Sequence, residues 1–422
     1  MRRIAAVLLL CALLPLWAAG CGGQPSSGEQ ALSVLIDSEA DSSFGPFLRD
    51  GLPALLDMPV EVTVLPVGDG ASQAEMEELE AQRTRVRTQL MSGSGPDLLV
   101  LNNRMPTLLD DPVKTMDAGA FLDLAPHMEQ LSAGLSLHPA VLAAGQWDGA
   151  QYLLPLTFTL PAVLADAGAL ADFAPPRDDV PAAFLRALMA HTGAEDLTPL
   201  VYLQSGYGDC FTAAPVLDYA AGRVHLNEDQ LALAELLAQV NAMGFTGSIN
   251  AIFPEGGAPF AAALLGENMF RQWAEALVQA GGRPALLPVP NGEGGVTGAV
   301  ALYAGIRANS PLADRALQAL GALLQPEAFQ HNAAGQQVLN AGASLALARE
   351  TTETLLAKTF GADSPLAAQY LDAAARVDTA RFCYLGSRAL YRYVVYPLAT
   401  GQATAARGAE DLAAAYRYYF SE

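Results

Sequence analysis

Cysteine is scarce in this 422-residue chain, with four in all at positions 11, 21, 210 and 383. Cys11 and Cys21 fall in an N-terminal leader-like segment. Only Cys210 and Cys383 remain in the body, so no disulfide framework holds the fold, and whether those two pair is open. The five histidines (His127, His138, His191, His225, His331) are scattered, and no His-Glu-x-x-His pair exists to hold zinc. Cations are outnumbered, 23 Lys and Arg against 44 Asp and Glu, for a net charge of −21. Nucleic acid and anionic lipid repel such a chain, which excludes both as binding surfaces. Aromatic residues make up 7% of the chain and include three tryptophans, so stacking platforms are few.

Catalytic motifs are missing as well. In Ser205-Gly206-Tyr207-Gly208, Leu203 stands where a nucleophile elbow needs its first glycine. Asp37-Ser38-Glu39-Ala40-Asp41 alternates oxygen ligands as a calcium loop does, but Ser42 and Leu48 replace the required glycine and glutamate. Gly292-Glu293-Gly294-Gly295 has no lysine or helix start after it to make a phosphate cradle. The expectation is no catalysis, no metal and no cofactor.

What is present begins at the N-terminus. Met1-Arg2-Arg3 precedes an apolar run from Ile4 to Ala19 that contains Pro15 and is shorter than the roughly 20 residues of a membrane span. Residues 1–20 therefore read as a signal peptide. Ala18-Ala19-Gly20-Cys21 resembles a bacterial lipobox, with Ala18 where leucine is usual, so Cys21 is expected to be lipidated. Residues 21–30 then form the anchor and a Gly/Ser-rich tether. No later segment is long and apolar enough to span a membrane.

The body, about 400 residues, is too long for one hydrophobic core and calls for two lobes. With 52% hydrophobic and 16% charged residues it is globular. Leu32 to Ile36 reads as a buried strand ending in the acidic cluster Asp37 to Asp41, followed by a helix near Phe44 to Leu56. Val60 to Leu65 reads as a second strand. Glu75 to Met91 reads as a helix with Met76, Leu79, Val86 and Leu90 on one side, and Asp97 to Leu101 as a third strand. This alternation is that of a parallel α/β sheet. Asn227 with Gln230 marks a capped helix stopped by Gly244, and Ser310-Pro311 opens another over Leu312 to Leu324.

Several segments resemble the extracellular solute-binding proteins of ABC importers, in particular the carbohydrate-type, maltose-binding-protein-like group. Gln89 to Leu98, with its glycine-proline-aspartate turn, resembles that group's helix, turn and strand. Asp148-Gly149-Ala150-Gln151-Tyr152-Leu153-Leu154-Pro155 resembles its segment leading to the first crossing between lobes, with Ala150 in place of lysine. Gly222 to Asn227, Leu287 to Gln330 and the tail from Thr400 to Glu422 resemble further parts in order, so the likeness spans about nine tenths of the body.

The resemblance implies a type II periplasmic-binding-protein-like α/β fold, each lobe a mixed, mostly parallel sheet flanked by helices. The first lobe takes residues 31–156 and a return at 299–345. The second takes 157–298 and C-terminal helices at 346–422. It implies a small polar ligand, a sugar or oligosaccharide, held in the cleft. A monomer anchored by its lipid to the outer face of the cytoplasmic membrane would deliver this ligand to ABC permease subunits. The competing readings are a non-sugar ligand such as a peptide or polyamine, a sensor or scaffold without a transporter, and an exported hydrolase.

Sugar sites join aromatic platforms to carboxylates and amides. Candidates at the carboxyl ends of strands are Asp37, Glu39 and Asp41, and Asn102, which is expected to face the cleft ahead of Asn103. Thr157 and Phe158 lie at the first crossing and Tyr303 near the second. Tyr207 and Asp209 lie on a glycine-rich loop. Trp273 follows Gly266 to Phe270, which resembles a ligand-facing segment, and is either a stacking platform or core. Trp147 has the same two readings.

Overall fold

The computed structural model describes residues 30–66, 72–104, 106, 108–174, 179–203, 208–244, 253, 257–265, 268–329 and 345–421. The expected leader, Cys21 and Tyr207 lie outside these residues, as does the side chain of Glu39.

The first elements are β1 (Leu32–Asp37), α1 (Ser38–Pro46), β2 (Val60–Leu65), α2 (Gln73–Met91), β3 (Leu98–Asn102) and α3 (Pro112–Asp117). A long strand β4 (Leu154–Asp166) follows, then α4 (Glu228–Ala242), β5 (Phe260–Leu265), α5 (Asn268–Gln279), β6 (Pro284–Pro288) and a second long strand β7 (Val296–Ile306). The chain continues with α6 (Ala313–Leu323), β8 (Leu345–Ala346), β9 (Val377–Arg381) and α7 (Tyr384–Leu390).

Strand β1 lies between β2 and β3 and is parallel to both. Both faces of β3 are covered: Leu98 and Val100 enter one apolar cluster, Leu99 and Leu101 the other, beneath Val86 and Leu90 of α2. This explains why its sequence is a continuous apolar run rather than an alternating one. Beyond β3 the pairing turns antiparallel, first to β7 and then to β4.

The long strands join the two halves of the molecule. From Leu154 to Thr159, β4 pairs with β7; from Leu160 onward it pairs with β5 and β6 instead, antiparallel to both. Likewise β7 pairs with β3 through Leu302–Ile306 and, parallel, with β9 through Val296–Ala299. The sheet is therefore mixed. Parallel pairs occur at β1–β2, β1–β3 and β7–β9, while pairs on β4 are antiparallel because β4 and β7 traverse both halves in opposite directions.

Helix boundaries differ from expectation at three places. The helix after β1 starts at Ser38, because Asp37 caps it: its carboxylate accepts from Ala40 N–H at 2.9 Å. Helix α2 starts at Gln73 behind a capping box between Ser72 and Glu75, and Met76 is exposed while Leu79, Val86 and Leu90 are buried. Pro311 precedes α6 rather than opening it; Ser310 accepts from Leu312 N–H at 3.1 Å. The capping box of Asn227 and Gln230 is present at α4.

The Gly95-Pro96-Asp97 turn carries a buried ion pair. Asp97 accepts from Arg307 at 3.1 Å, from Ser33 Oγ at 2.6 Å, from Ser33 N–H at 3.0 Å and from Ser310 Oγ at 2.7 Å. Arg307 also donates to the carbonyls of Gly93, Pro96 and Asn309. This network ties the starts of β1 and β3 to the end of β7.

Candidate functional site

A cleft of about 280 Å³ opens where the ends of β3 and β9 approach each other. One wall comes from Asn103, Asp110, Asp111 and Trp147, and the facing wall from Asp209, Asp218, Tyr219, Arg381 and Phe382. Asn103 follows β3, and its backbone N–H is held by Ala301 O at 2.8 Å. Arg381 ends β9 and is fixed by donating to the carbonyls of Thr212, at 2.6 Å, and Ala213. Such strand ends are where open α/β sheets place their binding crevices.

Three hydrogen bonds join the two sides beside the cleft. Asp111 caps α3 with one carboxylate oxygen, accepting from Lys114 N–H at 3.0 Å. Its other oxygen accepts from the Tyr219 hydroxyl at 2.7 Å and from the Tyr419 hydroxyl. Lys114 reaches the Tyr419 carbonyl and lies 3.9 Å from the centre of its ring. Trp147 meets Tyr219 edge-on at 6.4 Å, and its indole N–H donates to Asp117 at 2.8 Å. Burial, and then the Asp111 charge, push the Tyr219 phenol far above its usual range. It therefore stays protonated as a donor at every physiological pH. Burial and the hydrogen bond to Asp111 do the same for Tyr419.

Asp209 forms the floor. It is 2% exposed, accepts from Val216 N–H at 2.6 Å and lies 3.9 Å from Arg381 Nη1. Burial pushes its carboxyl up, against the pull of Arg381 and the Val216 N–H. A Cβ on Gly386 would sit 2.7 Å from the Asp209 carboxylate, which would have to shift to admit it. Among the described residues, neither Asn103 Oδ1 nor Arg381 Nη1 has a hydrogen-bond partner, although both are closed off from solvent. No cluster of His, Cys, Asp and Glu among the described residues can hold a metal.

The molecule as a whole matches solved structures. The sugar-binding protein MalE from Xanthomonas citri aligns over 93% of this chain and 98% of its own at 15% identity, with a TM-score of 0.65. An extracellular solute-binding protein family 1 from Alicyclobacillus acidocaldarius covers 94% of this chain and 100% of its own at 15% identity, with a TM-score of 0.61. The chain has the fold of the type II extracellular solute-binding proteins. The GacH receptor of Streptomyces glaucescens, solved unliganded and with acarbose, is similar over 93% of this chain and 100% of its own at 15% identity, with a TM-score of 0.57. No protein-family model and no curated protein matches the sequence.

In this binding-protein fold, the sequence candidates among the described residues that line the cleft are Asp209, Trp147 and Asn103. Asp37 is fully buried, its second oxygen accepting from the backbone and side-chain amides of Asn102 at 2.6 and 2.8 Å. The pair joins β1 to β3, which corrects the expectation that both face the cleft. Asp41 is partly exposed and paired with Arg49 at 2.5 Å on α1, also away from it.

Trp273 is 1% exposed, packed among Tyr202, Phe253 and Phe270 at 5.1, 6.2 and 5.5 Å. That places it in the core of the second half and removes it as a platform. Phe158 is buried on β4 against His138 at 5.5 Å. Tyr303 is buried on β7 against Phe382 at 5.0 Å.

Sequence reasoning placed Asn103 behind Asn102, the reverse of what the structure gives. It missed Asp111, Tyr219 and Arg381 altogether. Arg381 carried no usable signal, since Val377 to Arg381 does not alternate.

Proposed function

We propose that the chain is an exported, lipid-anchored solute-binding protein that takes a small polar ligand, a sugar or short oligosaccharide, into this cleft and passes it to an ABC permease. The observation that carries the reading is the two-sided cleft. Its lining divides between residues 31–156 on one side and 157–298 with 346–422 on the other, and it sets polar side chains of both sides, Asn103 and Asp110 against Asp218 and Arg381, around one cavity. Hydroxyl groups both donate and accept, so a sugar entering between the halves can bond to amide, carboxylate and guanidinium groups alike. Trp147 and Tyr219 supply the aromatic walls that sugar rings favour. A volume of 280 Å³ lies just below the usual range of ligand pockets, roughly 300–1,000 Å³, and suits a short ligand. MalE and GacH, similar in fold, are respectively a sugar-binding protein and a receptor solved with acarbose, which supports a carbohydrate.

One observation favours a second ligand class. Asp110, Asp111 and Asp218 line the cleft against the single guanidinium of Arg381, which suits a cation such as a polyamine. A thermal-shift screen against mono- and oligosaccharides, amino acids and polyamines separates the two, since a ligand bound only by the folded state raises the melting temperature. Sugars alone raising it supports the first class, and polyamines alone the second. With the best hit, Arg381→Ala should weaken affinity at least tenfold, about 1.4 kcal/mol, in titration calorimetry. Unchanged affinity would remove Arg381 from the site.

The anchor rests on Cys21. Cys21→Ala should abolish metabolic labelling of the chain by a fatty acid, and labelling that persists would refute the lipid anchor.

A further inference from the structure

We propose that Cys210 and Cys383 join in a disulfide that clamps the floor of the cleft. The two are 173 positions apart, yet both are buried thiols lining one small cavity of about 20 Å³. Both thiols are free in this structure, and Cys383 Sγ donates to the Arg381 carbonyl at 3.7 Å on the segment leading into α7. The surrounding backbone leaves little freedom for them to part. Cys210 ends the turn Gly208–Cys210, and Cys383 directly precedes α7. Between them the Asp209 N–H donates to Ser387 Oγ at 3.0 Å. Gly386 lies against the Asp209 carboxylate, and Gly208 faces Leu390 so closely that a Cβ would meet it at 2.5 Å.

Cys210 and Cys383 are the two cysteines of residues 31–422. The bridge would fix Asp209 and Arg381, the charged floor of the site, in one geometry. It would also close a loop spanning nearly half the body, the situation in which a disulfide most restricts the unfolded chain.

The step is thiol–disulfide exchange with a protein disulfide donor outside the cytoplasm. One cysteine thiolate attacks a sulfur of the donor, forming a mixed disulfide and releasing one donor thiolate. The second cysteine thiolate displaces the other donor sulfur. The chain loses two electrons and two protons, the donor gains both, and two donor thiols result. Burial, with Cys210 alongside, pushes the Cys383 thiol well above its usual range. The folded dithiol is therefore unreactive, and exchange belongs to the folding stage before the cavity closes.

The location of this chemistry rests on the proposed export, but the pairing does not. The test refolds the full reduced chain in an oxidised/reduced glutathione buffer, alkylates it under denaturing conditions and maps its peptides by mass spectrometry. We expect a linked peptide joining Cys210 to Cys383. We also expect a melting temperature at least about 5 °C higher than after reduction. The Cys210→Ser/Cys383→Ser variant should melt at the lower temperature and ignore reductant. Both cysteines alkylated, or each carrying glutathione, would overturn the pairing. The same map of chain isolated from cells tests export separately. A link that forms in the buffer but is absent in cells counts against export and leaves the pairing standing.

Discussion

Replacing Trp273 with alanine will cost about 3–5 kcal/mol of folding stability while leaving binding in the cleft near normal. Trp273 is 1% exposed and makes ring contacts with Tyr202, Phe253 and Phe270. Truncation removes the largest side chain of this aromatic cluster and leaves a cavity among Tyr202, Phe253 and Phe270. Denaturant unfolding measures the cost, and calorimetry with the best ligand of the screen measures the binding. Near-normal stability with affinity lost tenfold would return Trp273 to the site and contradict its placement in the core.

The second large effect is expected at the other half of the molecule, where Asp97 neutralises Arg307. Asp97→Asn keeps the shape and removes the charge, leaving the guanidinium, with 8% of its side chain exposed, facing carbonyls only. Breaking a buried pair in this way costs about 3–5 kcal/mol. Asp97 also contributes to acid sensitivity. Burial raises its carboxyl, but the hydrogen bonds from Ser33 and Ser310 and the Arg307 charge outweigh it and hold the group below its ordinary 3.8. A folded-state value below the unfolded one stabilises fully above the unfolded value, and that stability disappears as pH falls through the folded value. Wild type should therefore lose stability below about pH 4 more steeply than Asp97→Asn. Parallel acid transitions in urea titrations of the two chains would show that the pair contributes nothing.

The local rules that made the fold legible in sequence are visible in these same residues. Apolar runs at Val34 to Ile36 and Leu98 to Leu101 identified strands covered on both faces, and Asn227 with Gln230 identified a helix start. The site was far less legible, for a physical reason. Asp37 and Asn102 have the residue types and strand-end positions of ligand groups. A buried carboxylate accepting from a cap and a neighbouring amide has the same signature, and geometry alone tells them apart. The cleft depends on contacts of long range: Asp111 with Tyr219 and Tyr419, and Asp209 with Arg381. No spacing within one segment encodes such a pair. Trp273 failed in a related way, because an aromatic on an amphipathic helix reads alike whether its partner is a ligand or another ring.

The claim that the ligand sits between Trp147 and Arg381 is most directly tested by fluorescence. The chain has three tryptophans, at 17, 147 and 273, so a Trp17→Phe/Trp273→Phe chain carries Trp147 as its one indole. Titration with the best ligand of the screen should change the Trp147 emission saturably, with the midpoint found by calorimetry. In the same background, Arg381→Ala should shift that midpoint at least tenfold upward. A ligand that binds by calorimetry while the Trp147 emission stays constant would place the site elsewhere and contradict the account.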